Sequence, residues 1–297
     1  MPYWVFLTAA VVLPAFLFLY MGQKKQHPLG SLLFAVGAAI ACAALGAKLA
    51  YALMMCEREF PGYGIAALWR IAPEAFCFTA GAAVACGGIA LAAKRTGIRA
   101  MSLLDLFTPA WLLAIALLRL GESALGTLGY GTLLEEGLPG PLGLLTASNE
   151  YGEVYLSVYV LEAIAALLCL ISWTHHRRQE DGTAFRHAAF LLALAQILLE
   201  NLRARGMKYG FVHAEQLLCA AALLALVFFA CRRRDGGVRR FLPCLTLALC
   251  IGLIVGEEFL RQKSGIAFFS HYAYWLLALI LAVMEGIWLW SEKKVQT

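Results

Sequence analysis

The chain alternates between long apolar runs and short polar breaks along its whole length. Each apolar run has about 17 to 25 residues, the length that an α-helix needs to cross the hydrocarbon core of a bilayer. A helix satisfies its own backbone hydrogen bonds in lipid, which an open strand cannot do. The pattern therefore predicts an all-α fold, a polytopic transmembrane helix bundle, with nine spans at residues 4–21, 31–55, 76–93, 102–118, 152–173, 187–203, 212–231, 241–258 and 268–290.

Composition supports this prediction and excludes a soluble globular protein. Hydrophobic residues make up 62% of the 297 residues, charged residues make up only 14%, and the mean hydropathy is +0.75. A soluble chain of this length could not bury so much apolar surface. Because no Lys or Arg precedes the first run, we interpret it as a retained span. A secretory signal peptide would need a positively charged start.

The basic residues predict how the spans are oriented. The connections alternate between rich and poor in Lys and Arg, and the excess lies on the side that carries the C-terminus. By the positive-inside rule, the N-terminus is outside and the C-terminus is cytoplasmic. The net charge of +5 then reflects topology, and nucleic acid is not expected as a partner. A surface that handles anionic lipid would explain the cations that remain on the outer side, which are Arg58, Arg70, Arg119, Arg203, Arg205, Lys208, Arg261 and Lys263.

The longest outer connection, residues 119–151, is rich in glycine and proline and carries the acidic pair Glu135 and Glu136. A connection of this length between spans is usually functional or mobile. We predict that it forms a small external cap over the helix bundle.

Two arginines at the outer ends of spans are candidates for binding phosphate. Arg119 ends the apolar run that forms the fourth span, and Arg203 ends the sixth. A guanidinium suits the phosphate of a lipid headgroup because its fork of donors matches the phosphate oxygens. The alternatives are a snorkelling or bundle-pairing role for Arg119 and a local ion pair between Arg203 and Glu200, three residues earlier on the same helix face.

Other polar residues lie within or beside the spans. Lys48 is on a helix face of small residues, where it either serves a ligand or pairs with a carboxylate such as Glu162. Thr79 and Gly81 begin the third span, where small residues let another backbone or a lipid tail approach.

Three more ionisable residues begin predicted spans. His213 and Glu215 open the seventh span, where they either accept protons or cap the helix. Asp105 follows Ser102 at the start of the fourth span, and we expect it to cap that helix. The sequence contains no motif of a soluble nucleotide-binding enzyme or metalloprotease.

The order of these features resembles the bacterial prolipoprotein diacylglyceryl transferase family. The anchor is Asp105-Leu-Phe-Thr-Pro109, followed near the end of the same span by Arg119-Leu-Gly. These are similar to the family's Asp-x-x-x-Pro run and its Gly-Arg-x-Gly-Asn signature. Further similar segments follow the family's order: Gly46-Ala-Lys48-Leu-Ala-Tyr51, Cys77-Phe78-Thr79-Ala80-Gly81, Tyr155, Glu200-Asn-Leu-Arg203 and Glu215-Gln216-Leu-Leu.

The resemblance implies a reaction and a location. The family moves a diacylglyceryl group from phosphatidylglycerol to the thiol of a lipobox cysteine and releases glycerol phosphate. Anionic phospholipid and a lipobox-containing preprotein are the expected partners, in the bacterial plasma membrane, with no cofactor or metal. The likeness covers about residues 1–232, a membrane domain whose external cap is 119–151, and leaves residues 233–297 as an additional transmembrane hairpin.

The resemblance also implies roles for individual residues. Arg119, Glu122 and His213 are expected to carry catalysis, with Glu122 or His213 accepting a proton. The residues expected to bind the substrate are Arg119, Arg203, Glu200, Tyr155, Lys48, Thr79 and Gly81.

Several positions depart from the family's pattern. Its histidine falls on Thr79 and its signature asparagine on Glu122, so that a glutamate stands beside Arg119. Other polar family residues fall on Leu125, Thr127 and Gln196. The alternative is therefore a catalytically inactive relative that binds lipid or lipoprotein. A transporter is a third reading, although the ionisable residues gather at the outer surface and not at mid-depth.

Overall fold

Long helices make up most of the part of the chain that the structure describes. The computed structural model describes residues 3–55, 61–62, 64–69, 72, 75–134, 137–176, 181–203, 208–209, 212–232, 241–263, 279–280, 283 and 286. Within them the helices are α1 Tyr3–Lys24, α2 Leu29–Met54, α3 Phe78–Thr96, α4 Ala100–Gly121, α5 Val158–His176, α6 Thr183–Leu202, α7 Ala214–Arg232 and α8 Leu242–Lys263.

The chain is an all-α polytopic membrane protein, as its sequence predicts. Five helices, α1, α2, α4, α5 and α6, are long and apolar enough to cross a membrane. Helices α7 and α8 contain the shorter apolar stretches Ala214–Phe229 and Leu242–Leu253. Large apolar side chains such as Phe16, Leu45 and Leu168 are exposed, as expected for helices that meet lipid tails. The predicted ninth span, 268–290, lies outside the described residues except at 279–280, 283 and 286.

The chain divides into two compact units, which are described separately. The first unit comprises Met1–Leu192 and Leu202–Met207, and the second comprises Ala193–Asn201 and Lys208–Thr297. One buried cluster in the first unit contains side chains from each of the helices α1, α2, α3 and α4, among them Phe18, Leu32, Ile89 and Leu103. A second cluster in the same unit packs Trp111 and its neighbours on α4 against α5 and the start of α6. The predicted domain boundary at residue 232 stays a prediction.

Helices α2 and α3 approach each other through small residues. A Cβ added at Gly88 would lie 2.6 Å from the carbonyl oxygen of Ala38, and one added at Gly81 would lie 2.9 Å from the Cβ of Ala47. These distances are too short for real side chains, so only glycine fits at both points. Helices in membranes commonly pack through small residues that let their backbones approach. Lipid tails are as apolar as the side chains, so the hydrophobic effect does not drive helices together there.

The connection between α4 and α5 forms a small three-stranded sheet. The strands are β1 Tyr130–Leu134, β2 Thr146–Ser148 and β3 Val154–Ser157, with β3 in the middle and antiparallel to both neighbours. The prediction that the fifth span begins at 152 was wrong, because Val154–Ser157 is the central strand and the helix begins at Val158. An apolar run of this length does not distinguish a strand from a helix. Another short hairpin, β4 Lys208–Tyr209 and β5 Val212–His213, lies in the second unit.

Asp105 caps a helix, but not the one that the sequence suggested. Helix α4 begins at Ala100 and therefore carries Asp105 too far along to cap its own start. The two carboxylate oxygens of Asp105 instead accept backbone N–H groups of Gly182, at 2.5 Å, and Phe185, at 2.7 Å. These donors are at the beginning of α6, where backbone N–H groups have no partner within the helix. Asp105 thus joins α4 to α6.

Replacing Asp105 with alanine is expected to lower the free energy of unfolding by about 1 kcal/mol, because two N–H groups of α6 lose their acceptor. Thermal unfolding in detergent would measure the change. Asp181→Ala is the control, since its side chain is half exposed and lies 3.9 Å from Arg99, and such pairs contribute about 0–1 kcal/mol. Equal effects of the two substitutions would contradict the capping role.

Candidate functional site

Two arginines and two glutamates meet in the first unit; we call this group the quartet. It consists of Arg119 at the end of α4, Glu122 just after it, Glu162 on α5 and Arg203 just after α6. Arg119 Nη1 lies 2.6 Å from Glu122 Oε1, and Arg203 Nη1 lies 2.8 Å from Glu122 Oε2. Arg119 Nε forms an ion pair with Glu162 Oε2 at 3.2 Å, and Arg203 Nη2 donates a hydrogen bond to the same oxygen. Each arginine therefore contacts both carboxylates.

The quartet is buried and its formal charges balance. Only 3% of the Arg119 side chain and 2% of the Glu162 side chain are exposed, against 14% for Glu122. Burying a charge is costly unless an opposite charge and hydrogen bonds compensate it. The ring of Phe78 supports Arg119 as well, with its centroid 4.1 Å from Cζ, a distance at which a guanidinium is attracted to an aromatic face.

Local backbone features place the members of the quartet. Arg119 is in the last turn of α4, where the helix dipole favours a cation. The residue pair Gly131 and Arg203 forms a backbone bridge that ties the end of α6 to β1. A Cβ at Gly131 would lie 2.8 Å from the carbonyl oxygen of Leu202. Glycine at 131 therefore permits the contact that holds Arg203 at the quartet.

The sequence predicted part of this arrangement. Arg119 and Arg203 were expected to lie side by side, and they contact the same two carboxylates. Arg119 does not snorkel to the surface, because it is 2% exposed and paired, as in the bundle-pairing alternative. Glu162 was considered only as a partner for Lys48, although an acidic residue inside an apolar span is itself the signal of a buried cluster.

Lys48, Thr79 and Gly81 lie around the start of α3. The Lys48 ammonium donates to the carbonyl oxygen of Ala75 at 3.3 Å and lies 5.1 Å from the centroid of the Phe76 ring. Thr79 is partly buried in the first turn of α3, and Gly81 contacts α2. The roles of Lys48, Thr79 and Gly81 in binding a substrate, and the pairing of Lys48 with Glu162, stay predictions.

Tyr155 lies on β3, the middle strand of the three-stranded sheet. Its hydroxyl donates to Glu153 Oε2 at 2.6 Å, and its ring stacks on Tyr130 with centroids 5.3 Å apart. The hydrogen bonds from Tyr155 and Asn149 hold the pKa of the Glu153 carboxyl below its ordinary value. The contribution of Tyr155 to substrate binding stays a prediction.

A second polar cluster lies in the second unit. His213 Nδ1 is 3.0 Å from Glu200 Oε1, and Gln196 donates to Glu200 Oε2 and to Glu215 Oε2, each at 3.3 Å. All four side chains are buried. A carboxylate beside an imidazole orients its ring and can support proton exchange. The predicted role of His213 as a proton acceptor and the predicted role of Glu200 in substrate binding stay predictions.

No family model matches this sequence, and no curated protein matches it. The resemblance to the diacylglyceryl transferases therefore rests on the order of the segments quoted above. What the quartet can do chemically follows from its own geometry, in which two guanidinium groups converge on one anion, the Glu122 carboxylate, and each contacts a different oxygen of it.

Proposed function

We propose that this chain is a membrane protein of the diacylglyceryl transferase type, which binds the phosphate of phosphatidylglycerol between Arg119 and Arg203. One observation carries the proposal: the two arginines hold one carboxylate by its two oxygens, at 2.6 Å and 2.8 Å. A phosphodiester also offers two charged oxygens, and arginine pairs bind such groups through parallel hydrogen bonds. Both arginines also lie in segments that resemble motifs of the family, Arg119-Leu-Gly and Glu200-Asn-Leu-Arg203.

The proposed reaction assigns a task to each charged group. The acceptor's thiol sulfur forms a bond to the glyceryl carbon, and the bond between that carbon and the phosphate oxygen breaks. The phosphate oxygen keeps the electron pair and leaves as glycerol phosphate, while the thiol proton passes to a base. Arg119 and Arg203 would stabilise the negative charge that grows on the phosphate. Glu122 is the base we propose, and the expectation that His213 takes the proton stays a prediction from the sequence.

A specific observation favours a second candidate, a protein that binds lipid without transferring it. Glu122 already accepts hydrogen bonds from both arginines, so cations engage both of its oxygens before any substrate binds. The family's histidine and asparagine are replaced by Thr79 and Glu122. Such a protein would keep the two arginines for binding, and a site can persist on a fold without its chemistry.

A transfer assay separates the two candidates. Purified protein is mixed with phosphatidylglycerol and a peptide with a lipobox cysteine, and mass spectrometry detects the diacylglyceryl adduct. We expect an adduct from the wild type and from Glu150→Gln, which changes an exposed glutamate of the cap connection. We expect at least about a hundred-fold less from Arg119→Lys, which keeps the charge but loses the planar fork.

Other results of the assay decide against the transferase. No adduct from folded protein that still prefers phosphatidylglycerol over phosphatidylcholine would contradict transfer and leave the lipid-binding candidate. No adduct together with no lipid preference would contradict both, and the transporter reading would then be the one to pursue.

A further inference from the structure

Glu122 differs from the other carboxylate of the quartet in ways that bear on ligand binding. Glu162 is almost completely buried on α5, and one of its oxygens contacts both arginines. Glu122 comes directly after the last turn of α4, and its side chain is 14% exposed. Of the two carboxylates, Glu122 is therefore the one that a ligand can reach and replace. Both of its oxygens are used to bridge the arginines.

The charges limit what can replace it. With both glutamates in place, the two positive charges of the guanidinium groups are neutralised, so the site has no net charge to attract a further anion. If the Glu122 carboxylate moves away from the arginines, the buried site has a net charge of +1, from two guanidinium groups and the Glu162 carboxylate. A single negative charge restores the balance, whereas a second one would be buried without compensation, which is costly.

We propose that Glu122 occupies the phosphate position in the resting protein and is exchanged for the phosphate of an incoming lipid, one negative charge for one. This inference rests on the proposed function, because it concerns the same two arginines. It makes Glu122 the residue that determines specificity. A phosphodiester with one negative charge satisfies the site, and a phosphomonoester with two does not.

The exchange has a consequence for turnover. Transfer of the diacylglyceryl group converts a phosphodiester with one charge into glycerol phosphate, a phosphomonoester whose second proton has a pKa of about 6. The product therefore carries nearly two negative charges at neutral pH. The charge of the product is larger than the single positive charge of the site without Glu122, and the product competes with Glu122 for the same arginines. Return of Glu122 to the arginines would then help to expel the product.

The experiment compares two lipids in four proteins. Phosphatidylglycerol has one negative charge, and phosphatidic acid at pH 8 has nearly two. Binding of each lipid to detergent-solubilised protein is measured by native mass spectrometry for the wild type, Glu122→Gln, Glu122→Asp and Glu150→Gln. Glycerol phosphate, added as a soluble competitor, tells whether the phosphate must belong to a lipid. Thermal unfolding confirms that each variant is folded.

We expect the wild type to prefer phosphatidylglycerol over phosphatidic acid. Glu122→Gln should bind phosphatidylglycerol about ten-fold more tightly, since no charge-assisted bonds to a resident carboxylate need to be broken. Its affinity for phosphatidic acid should rise by a larger factor, so the preference shrinks. Glu122→Asp keeps the charge but is too short to bridge both arginines, and it should lie between the wild type and Glu122→Gln. Glu150→Gln should match the wild type.

Unchanged or weaker phosphatidylglycerol binding by folded Glu122→Gln would overturn the exchange, and so would an unchanged preference between the two lipids. If Glu122→Gln cannot be folded, Glu122→Asp decides alone, and affinity at or below that of the wild type overturns the inference. Displacement of the lipid by glycerol phosphate at equal concentration would also overturn it. Failure of the proposed function looks different, because the wild type itself would then bind phosphatidylglycerol no better than phosphatidylcholine.

Discussion

Replacing Arg119 with alanine is expected to lower the free energy of unfolding by about 3–5 kcal/mol, the range for removing one partner of a buried ion pair. The substitution leaves Glu122 and Glu162 with Arg203 as the remaining cation of the quartet, so one buried negative charge is uncompensated. It also removes the guanidinium that packs on the Phe78 ring. Unfolding of the purified protein by heat or by SDS would measure the loss.

Two further variants test whether charge is the cause. Adding Glu162→Gln to Arg119→Ala restores the balance of charges, because Arg203 and Glu122 still form a pair at 2.8 Å. We expect the double variant to be more stable than Arg119→Ala alone, which a double-mutant cycle would report as a coupling energy of about 1–3 kcal/mol. Arg95→Ala, at an exposed arginine at the end of α3, should change stability by less than about 0.5 kcal/mol. Strictly additive effects would contradict the quartet.

Replacing Gly88 with alanine is expected to destabilise the protein by about 1–3 kcal/mol, as overpacking does in well-packed cores. The new Cβ would lie 2.6 Å from the carbonyl oxygen of Ala38 and 3.0 Å from the Cβ of Cys42. Both neighbours belong to α2, and a backbone atom cannot rotate out of the way. Helices α2 and α3 would have to move apart. The same unfolding measurement in detergent would show the effect.

The adjacent glycine is the control. A Cβ at Gly87 would meet nothing within 4 Å, and alanine is favoured over glycine inside a helix by about 1 kcal/mol. Gly87→Ala should therefore leave the protein as stable or make it more stable. If Gly87→Ala and Gly88→Ala have the same effect, helix propensity and not the close approach of α2 and α3 is responsible.

Most of the helices were predictable from the sequence because the apolar runs are long. The first two runs, 4–21 and 31–55, correspond to α1 Tyr3–Lys24 and α2 Leu29–Met54. The strands of the three-stranded sheet between α4 and α5 were not predictable in this way. Val154–Ser157 is apolar like the helix that follows it, and its partners come from β1 and β2. Pairing between distant segments leaves little mark on local periodicity.

The candidate site was predictable in its cations and less so in its anions. Arg119 and Arg203 are conspicuous because each ends an apolar run at the same predicted side of the membrane. Glu162 belongs to the quartet because α5 packs beside α4, and this packing cannot be predicted from a local sequence pattern. Asp105 is a similar case. An aspartate near a helix start predicts a helix cap, but only the packing of α4 against α6 determines which helix Asp105 caps.

The most direct test of the central claim is to measure which lipids remain bound to the protein when either arginine of the quartet becomes lysine. Native mass spectrometry of the wild type, Arg119→Lys and Arg203→Lys, each incubated with equal amounts of phosphatidylglycerol and phosphatidylcholine, gives the ratio of the two lipids retained. The account predicts that the wild type retains phosphatidylglycerol in preference and that both lysine variants, although folded and still cationic, lose at least about ten-fold of that preference. An unchanged ratio in both folded variants would contradict a phosphate site at Arg119 and Arg203.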